Sequence, residues 1–427
     1  MVGSPENHVF GKPWPAGHGG VGPRLIEGGG LHEVKGYKAQ GYAAGIKRMR
    51  KDLSIIYSTQ PDTAAAGVFT LNKVRAAPVT LSEEHLASGR ARAIVCNAGC
   101  ANAATGEQGY RDAVEMADLT AKCLNILPDE VVVASTGVIG RHLPMDIVRE
   151  GIKNCAGTLD QAEPGSVARA MMTTDLVSKE CLVEAEINGT IVRLGGVAKG
   201  SGMIHPNMAT MLAWVVTDAA VEPATLQTAL RHVADRTFNM ISVDGDTSTN
   251  DMCVVLANGA AGNEIVTRQR GYQQLKDALY LVMETLAKRI ARDGEGATTL
   301  VEVRIENART AEDARLAARS VTKSPLVKSA VFGRDPNWGR ILAAVGYSGA
   351  EFDPAKVDVQ MKSAAGAAWV LRGGEPCETL DNAGLRRIVD KDHVVFVVDL
   401  HDGEHDATAW GCDLTYDYVK INADYTT

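Results

Sequence analysis

Strand-length and helix-length apolar patterns are interleaved along this chain without a fixed alternation. Residues 52–58, 67–71 and 91–97 are short apolar runs bounded by turn formers, as buried strands are. Residues 110–127 instead place Val114, Ala117, Leu119 and Cys123 at helical spacing and stop before Pro128. A strand is expected over 131–134, running into a small-residue turn at Ser135-Thr136-Gly137, and a helix over 145–155. Residues 181–187 and 190–194 read as a hairpin around Asn188-Gly189. A glycine-rich crossing is expected over 195–202, then an apolar run over 208–217. Helices are expected over 224–239, 272–292, 311–321 and 339–345. Strands are expected over 301–305, 358–361, 367–371, 393–399 and 407–412. A doubly wound parallel sheet needs strict strand–helix alternation. Its absence predicts an α+β fold, an α/β sandwich of layered mixed sheets flanked by helices.

Length suggests two or three folding units, since the 427 residues exceed what one core usually holds. Residues 1–33 are rich in Gly, Pro and His and read as a loose extension, with order beginning near Gly36. The formal net charge of −8 argues against nucleic acid or an anionic membrane as the main partner. The longest apolar runs have strand length, short of the roughly 20 residues of a spanning helix. The start of the chain lacks the basic-then-apolar pattern of a secretory signal, so the expected compartment is the cytoplasm. Eight cysteines at 96, 100, 123, 155, 181, 253, 377 and 412 are scattered, which suits reduced and mostly buried thiols.

Several motifs invite a function and then lack its context. Gly17, Gly19 and Gly22 match a dinucleotide glycine pattern, but Pro13, Pro15 and Pro23 stand where a strand and a helix are required. Residues 244–255 resemble a calcium loop, yet Thr249 replaces its glycine and Val255 its glutamate, so a polar turn near a site, with carboxylates bonded to backbone, is expected instead. Cys96 and Cys100, and His401 with Glu404 and His405, lack a second pair at zinc spacing, so no metal is expected.

The segment from Gly195 to Ala213 is harder to dismiss. It combines four glycines, Lys199 among small residues, and Ala209 directly before Thr210 at the head of an apolar run. On composition alone it could be a glycine-rich loop entering a buried strand.

Long segments of the chain resemble the ornithine acetyltransferases, also called glutamate N-acetyltransferases, of arginine biosynthesis. The resemblance covers about residue 36 to 427. It is carried by Ser135-Thr-Gly-Val-Ile-Gly140, Met172-Thr-Thr-Asp175, residues 195–212 and 242–251, Asp293-Gly-Glu-Gly-Ala-Thr298, Gly333-Arg-Asp-Pro-Asn-Trp-Gly-Arg340 and residues 409–427. It implies an N-terminal-nucleophile-like sandwich with different connectivity. It also implies self-cleavage between Ala209 and Thr210, giving an α chain of residues 34–209 and a β chain of 210–427. Thr210 would be the nucleophile, and Thr136 with Gly137 the oxyanion hole. Thr173, Lys199, Thr210, Glu295, Asn422 and Thr427 would contact substrate. The implied reaction is ping-pong transfer of acetyl from N2-acetyl-L-ornithine to L-glutamate by an α2β2 assembly. No cofactor is implied, and acetyl-CoA is left open as a co-substrate that would add N-acetylglutamate synthase activity. The chain departs from the family in its first 33 residues and in Cys100, where a more polar residue is expected.

These residue types suit acyl transfer. A threonine hydroxyl is a weak nucleophile, but a freed N-terminal threonine carries its own base, an α-amino group with a pKa of about 7.7–8.0. A self-processed aminopeptidase or amidase would use the same parts with water as acceptor, and a non-enzymatic α/β protein would stay intact.

Overall fold

The computed structural model describes residues 22–48, 50–161, 163–205, 211–377 and 381–424. The chain divides into two compact units, one of Gly20–Asn239 with Asp246–Asp293, the other built from Met240–Gly245 and Gly294–Thr426.

The first unit holds two sheets. In the six-stranded sheet the order is Arg24–Ile26, Lys179–Ile187, Thr190–Lys199, Leu212–Thr217, Met252–Ala257 and Ala64–Phe69. In the four-stranded sheet it is Tyr37–Tyr42, Leu53–Ser58, Ala93–Cys100 and Val131–Val138. One buried cluster joins their inner faces, with Val197, Leu212, Trp214 and Val254 from one sheet and Ile56, Ile94, Val132 and Ala134 from the other. A sheet that buries both faces needs apolar residues at successive positions, as residues 212–216 and Met252–Ala257 provide. Helices cover the outer faces. Gly106–Leu124 and Met145–Gly157 seat Ala113, Met116, Val148 and Ile152 on the four-stranded sheet. Tyr272–Arg292 and Pro223–Ala234 pack on the six-stranded one. The result is four layers: helices, sheet, sheet, helices.

The second unit is a seven-stranded mixed sheet. Its order is Ile241–Ser242, His405–Cys412, Leu300–Ala308, His393–Asp399, Asp358–Ser363, Gly366–Arg372 and Glu375–Pro376. Helix Ala311–Lys323 packs on it through Ala314, Ala317, Ala318 and Val321. The α+β class expected from the interleaved patterns is the observed one.

Three local expectations change. The turn expected at Ser135-Thr136-Gly137 is strand, since Val131–Val138 continues in register beside Ala93–Cys100. The glycine-rich crossing is half strand as well, because Thr190–Lys199 runs straight through Gly195 and Gly196. A β-carbon at Gly196 would sit 2.5 Å from Val282 on the covering helix, and one at Gly195 would sit 3.0 Å from Leu31. Close packing, rather than chain reversal, selects glycine there. Order also begins before Gly36: Arg24–Ile26 pairs with Leu182, Val183 and Glu184, and Leu31 is buried in the core.

Candidate active site

The Val131–Val138 strand brings Thr136 and Gly137 to its end. Gly137 has φ 130°, and a β-carbon there would lie 2.4 Å from the Gly99 carbonyl carbon. Only glycine lets the two backbones approach this closely. The partner strand is bulged opposite it, at Gly99 and Cys100. Side chains fix the bulge: Ser135 Oγ donates to Asn97 Oδ1 at 2.6 Å, and Asn97 Nδ2 donates to the Cys100 carbonyl at 2.9 Å. Asn250 adds a cross-link by donating to the carbonyls of Ala101 at 2.6 Å and Ser135 at 2.9 Å. Ser135, next to Thr136, is thus held through both its hydroxyl and its carbonyl.

Thr136 and Lys199, 8% and 9% exposed, line one small cavity of about 30 Å³. Met211, Leu212, Ile204, Ser248, Asn250 and Asp251 complete most of its wall. Lys199 ends its strand, and its register partner is Leu212 on the next strand. The chain therefore leaves the sheet after Lys199 and re-enters it beside the point of departure.

A buried charge cluster anchors this exit. Lys179 Nζ, with no exposed side-chain surface, donates to Asp175 Oδ1 at 2.7 Å and to Asp293 Oδ2 at 2.6 Å. Asp175 also accepts from Gly200 N at 2.7 Å and, through its other oxygen, from Thr173 N at 3.0 Å. Asp293 accepts from Leu176 N, and its carbonyl accepts from Ser201 Oγ at 2.7 Å. Burial by itself would raise the Asp175 carboxyl. The Lys199 and Lys179 ammonium groups and the Gly200 N–H outweigh it and hold Asp175 well below the usual carboxylate range. Lys47 supports the same stretch by donating to the Met172 carbonyl at 2.7 Å, and Asp52 in turn holds the Lys47 N–H at 2.7 Å.

The second unit places Glu295 and Asn422 together. Glu295 is 8% exposed and accepts from Asn422 Nδ2 at 2.7 Å. Gly296 has φ 70°, and a β-carbon on it would lie 2.7 Å from Tyr418 N, on the helix that carries Asn422. Asp413 clamps the following residues by accepting from Thr298 N and Thr299 N.

The structure thus brings Thr136 and Lys199 to one cavity, with Gly137 beside Thr136. It ties Thr173 to the charge cluster and pairs Glu295 with Asn422. Ala209, Thr210 and Thr427, like the glycines at 17 and 19, lie outside the described residues. Lys179, Asp293, Asn250 and Asp251 were not expected as site residues. Lys179 sits between Ser178 and Glu180 and carried no local signal, whereas three polar residues directly before a wholly buried strand were the signal for Asn250 and Asp251. The discounted motifs have structural roles: burial pushes the Cys96 thiol up to about 12, and His401 bonds Asp358 at 3.2 Å. Among the described residues no cluster of three or more His, Cys, Asp or Glu side chains is placed to hold a metal ion. None of their helices is long and apolar enough to cross a membrane.

In this layered α+β chain Thr136, Lys199 and the buried Asp251 meet at one cavity. The ArgJ family model matches residues 38–427. A protein from Symbiobacterium thermophilum named arginine biosynthesis bifunctional protein ArgJ is 54% identical over 93% of this chain and 99% of its own length. Its namesake from Caldanaerobacter subterraneus subsp. tengcongensis is 50% identical over 93% and 99%. A crystal structure of ornithine acetyltransferase complexed with ornithine, from Mycobacterium tuberculosis, is 38% identical, with a TM-score of 0.41 over 44% of this chain and 100% of that one. The chain belongs to the ArgJ family.

Proposed function

We propose that this chain cleaves itself between Ala209 and Thr210 and then moves acetyl from N2-acetyl-L-ornithine to L-glutamate through an ester on Thr210. As a member of the ArgJ family it is an enzyme of arginine biosynthesis. The observation that carries the finer reading is the shared cavity of Thr136, Lys199 and Met211, because Met211 is bonded to Thr210. The Ala209–Thr210 bond also falls in the connection between two strands that pair with each other, Thr190–Lys199 and Leu212–Thr217. Cutting there leaves each new chain anchored in the same sheet, so the products stay together.

In the transfer, Thr210 Oγ attacks the acetyl carbonyl while its own α-amino group takes the hydroxyl proton. The Thr136 hydroxyl and the Gly137 N–H stabilise the oxyanion, and one such donor is worth about 10²–10³ in rate. Ornithine leaves with a proton and the acetyl ester remains. The amine of glutamate then attacks the ester carbonyl and Thr210 is restored. Thr173, Lys199 and Thr427 are assigned contacts with the amino-acid substrates, Lys199 with the α-carboxylate. Glu295, with Asn422, is assigned the δ-ammonium of ornithine. The reaction draws on these residues without a metal or bound cofactor. The processed enzyme is an α2β2 assembly of the cytoplasm.

Intact mass of wild type beside Thr210→Ala tests this. Fragments of 209 and 427 − 209 = 218 residues in wild type, with an uncut variant, are expected. A wild type that stays whole overturns the reading. Consumption of acetylornithine at full rate without glutamate would replace transfer by hydrolysis.

A further inference from the structure

The proposed transfer leaves one group of the cavity without a task. Asp251 is 3% exposed and lines the cavity with Thr136, Lys199 and Met211. Its carboxyl is bonded to Ser248, yet Oδ2 is buried without a hydrogen-bond partner among the described residues. Among the described cations Lys199 acts on it through charge alone, without a hydrogen bond. An unpaired carboxylate is costly in such a place, whereas the neutral acid is not. Burial accordingly pushes Asp251 well above the usual carboxylate range, against the opposing pull of Ser248 and the Lys199 charge. The other segments at the cavity, with Thr136, Gly202, Met203, Ile204, Met211 and Leu212, bring no further titratable side chain.

Register fixes where this acid stands along the chain. Met252 pairs with Leu212 in parallel strands, and Met252 N donates to the Met211 carbonyl at 3.0 Å. Asp251 therefore stands opposite Met211, one peptide bond from Thr210.

We infer that Asp251 is the proton relay of the self-cleavage step. The inference rests on the self-cleavage reading above. Before cleavage Thr210 has no α-amino group, so the base that serves acetyl transfer does not yet exist. In the relay, Thr210 Oγ bonds to the Ala209 carbonyl carbon and its proton passes to Asp251. The bond from that carbon to the Thr210 nitrogen breaks, and the nitrogen takes the electron pair and the carboxyl proton of Asp251. The products are an ester, a free amine and Asp251 with its proton restored. Water then opens the ester, giving the Ala209 carboxyl group and the Thr210 hydroxyl. The exchange uses both carboxyl oxygens, Oδ2 and the one that Ser248 bonds, so that one accepts a proton while the other donates.

The test follows cleavage of the full chain by intact mass after a short cell-free synthesis. The proteins compared are wild type, Thr210→Ala, Asp251→Asn and Asp251→Glu. Expected are a cut wild type, an uncut Thr210→Ala, an Asp251→Asn at least about 10²-fold slower with a normal thermal melt, and partial rescue in Asp251→Glu. An uncut wild type overturns the function reading and the relay with it. A cut wild type with Asp251→Asn cut at the same rate overturns the relay alone. If Asp251→Asn fails to fold, Asp251→Glu decides: its cleavage should slow as pH rises and the neutral acid is lost, and a rate that is flat or rising with pH overturns the relay.

Discussion

Two buried acidic regions of the first unit are handled in opposite ways. At the exit from the Thr190–Lys199 strand, Asp175 and Asp293 share Lys179, and backbone N–H groups fill much of what remains. At the cavity, Asp251 keeps an oxygen with no partner among the described residues. The first arrangement favours the charged carboxylate, while the second favours the neutral acid. A buried charge that is fully bonded fixes a backbone, here the turn at Gly200 and Ser201. A buried acid left partly unbonded costs stability and retains a proton that can be used. Structural and chemical carboxylates are thus separated by their partners, not by their burial.

The largest effect that would sharpen this contrast is the removal of Lys179. Lys179→Met strands two buried carboxylates and should cost about 3–5 kcal/mol in urea unfolding. A loss below about 1 kcal/mol would break the comparison. Gly137→Ala tests a steric constraint beside the same cavity. Its β-carbon has no room against Gly99, so the variant should lose about 1–3 kcal/mol and about 10²–10³ in acetyl-transfer rate. Glu302 offers a control in the second unit: it is 2% exposed, lies 2.6 Å from Arg304 and accepts from Trp410 Nε1 at 3.2 Å. Glu302→Gln should cost about 1–2 kcal/mol and leave self-cleavage at its wild-type rate.

The smallest effects lie in pH dependence, and their signs differ. The Asp175 pKa is depressed in the fold. Its contribution is present above the unfolded carboxylate pKa of about 3.9 and is lost as pH falls through the folded value. Asp175→Asn should therefore lose less stability, relative to wild type, the more acid the buffer. The Asp251 pKa is raised. The fold holds a proton that the unfolded chain releases, so wild-type stability falls as pH climbs from about 4 toward the folded value. Melting temperatures of Asp251→Asn and wild type should converge near pH 4 and separate toward pH 7, with the variant gaining. Parallel melting curves across that range would remove the neutral acid.

Much of the fold was legible because periodicity reports burial directly. The helix read over 110–127 is Gly106–Leu124, and its end is set by left-handed Asn125 (φ 55°) rather than by Pro128. The strand read over 393–399 is observed with those bounds. The misreadings came from glycine. Gly137, Gly195 and Gly196 look like turn residues in a sequence, but each occupies a strand pressed against a neighbour. Glycine marks either a backbone that must turn or one that must be approached, and only the neighbour distinguishes them.

The same division runs through the site. Interleaved periodicity along the chain points to the α+β class, and the resemblance to a known family put Thr136, Gly137, Thr173, Lys199, Glu295 and Asn422 among the candidates. Long-range packing alone joins Lys179 to Asp175 and Asp293, and sets Asp251 opposite Met211 with an oxygen unmet among the described residues. Lys179 and Asp293 are 114 positions apart, and Asp251 and Met211 meet through strand register. Whether a buried acid is charged or neutral depends on partners brought from such distances, and local pattern carries no record of them.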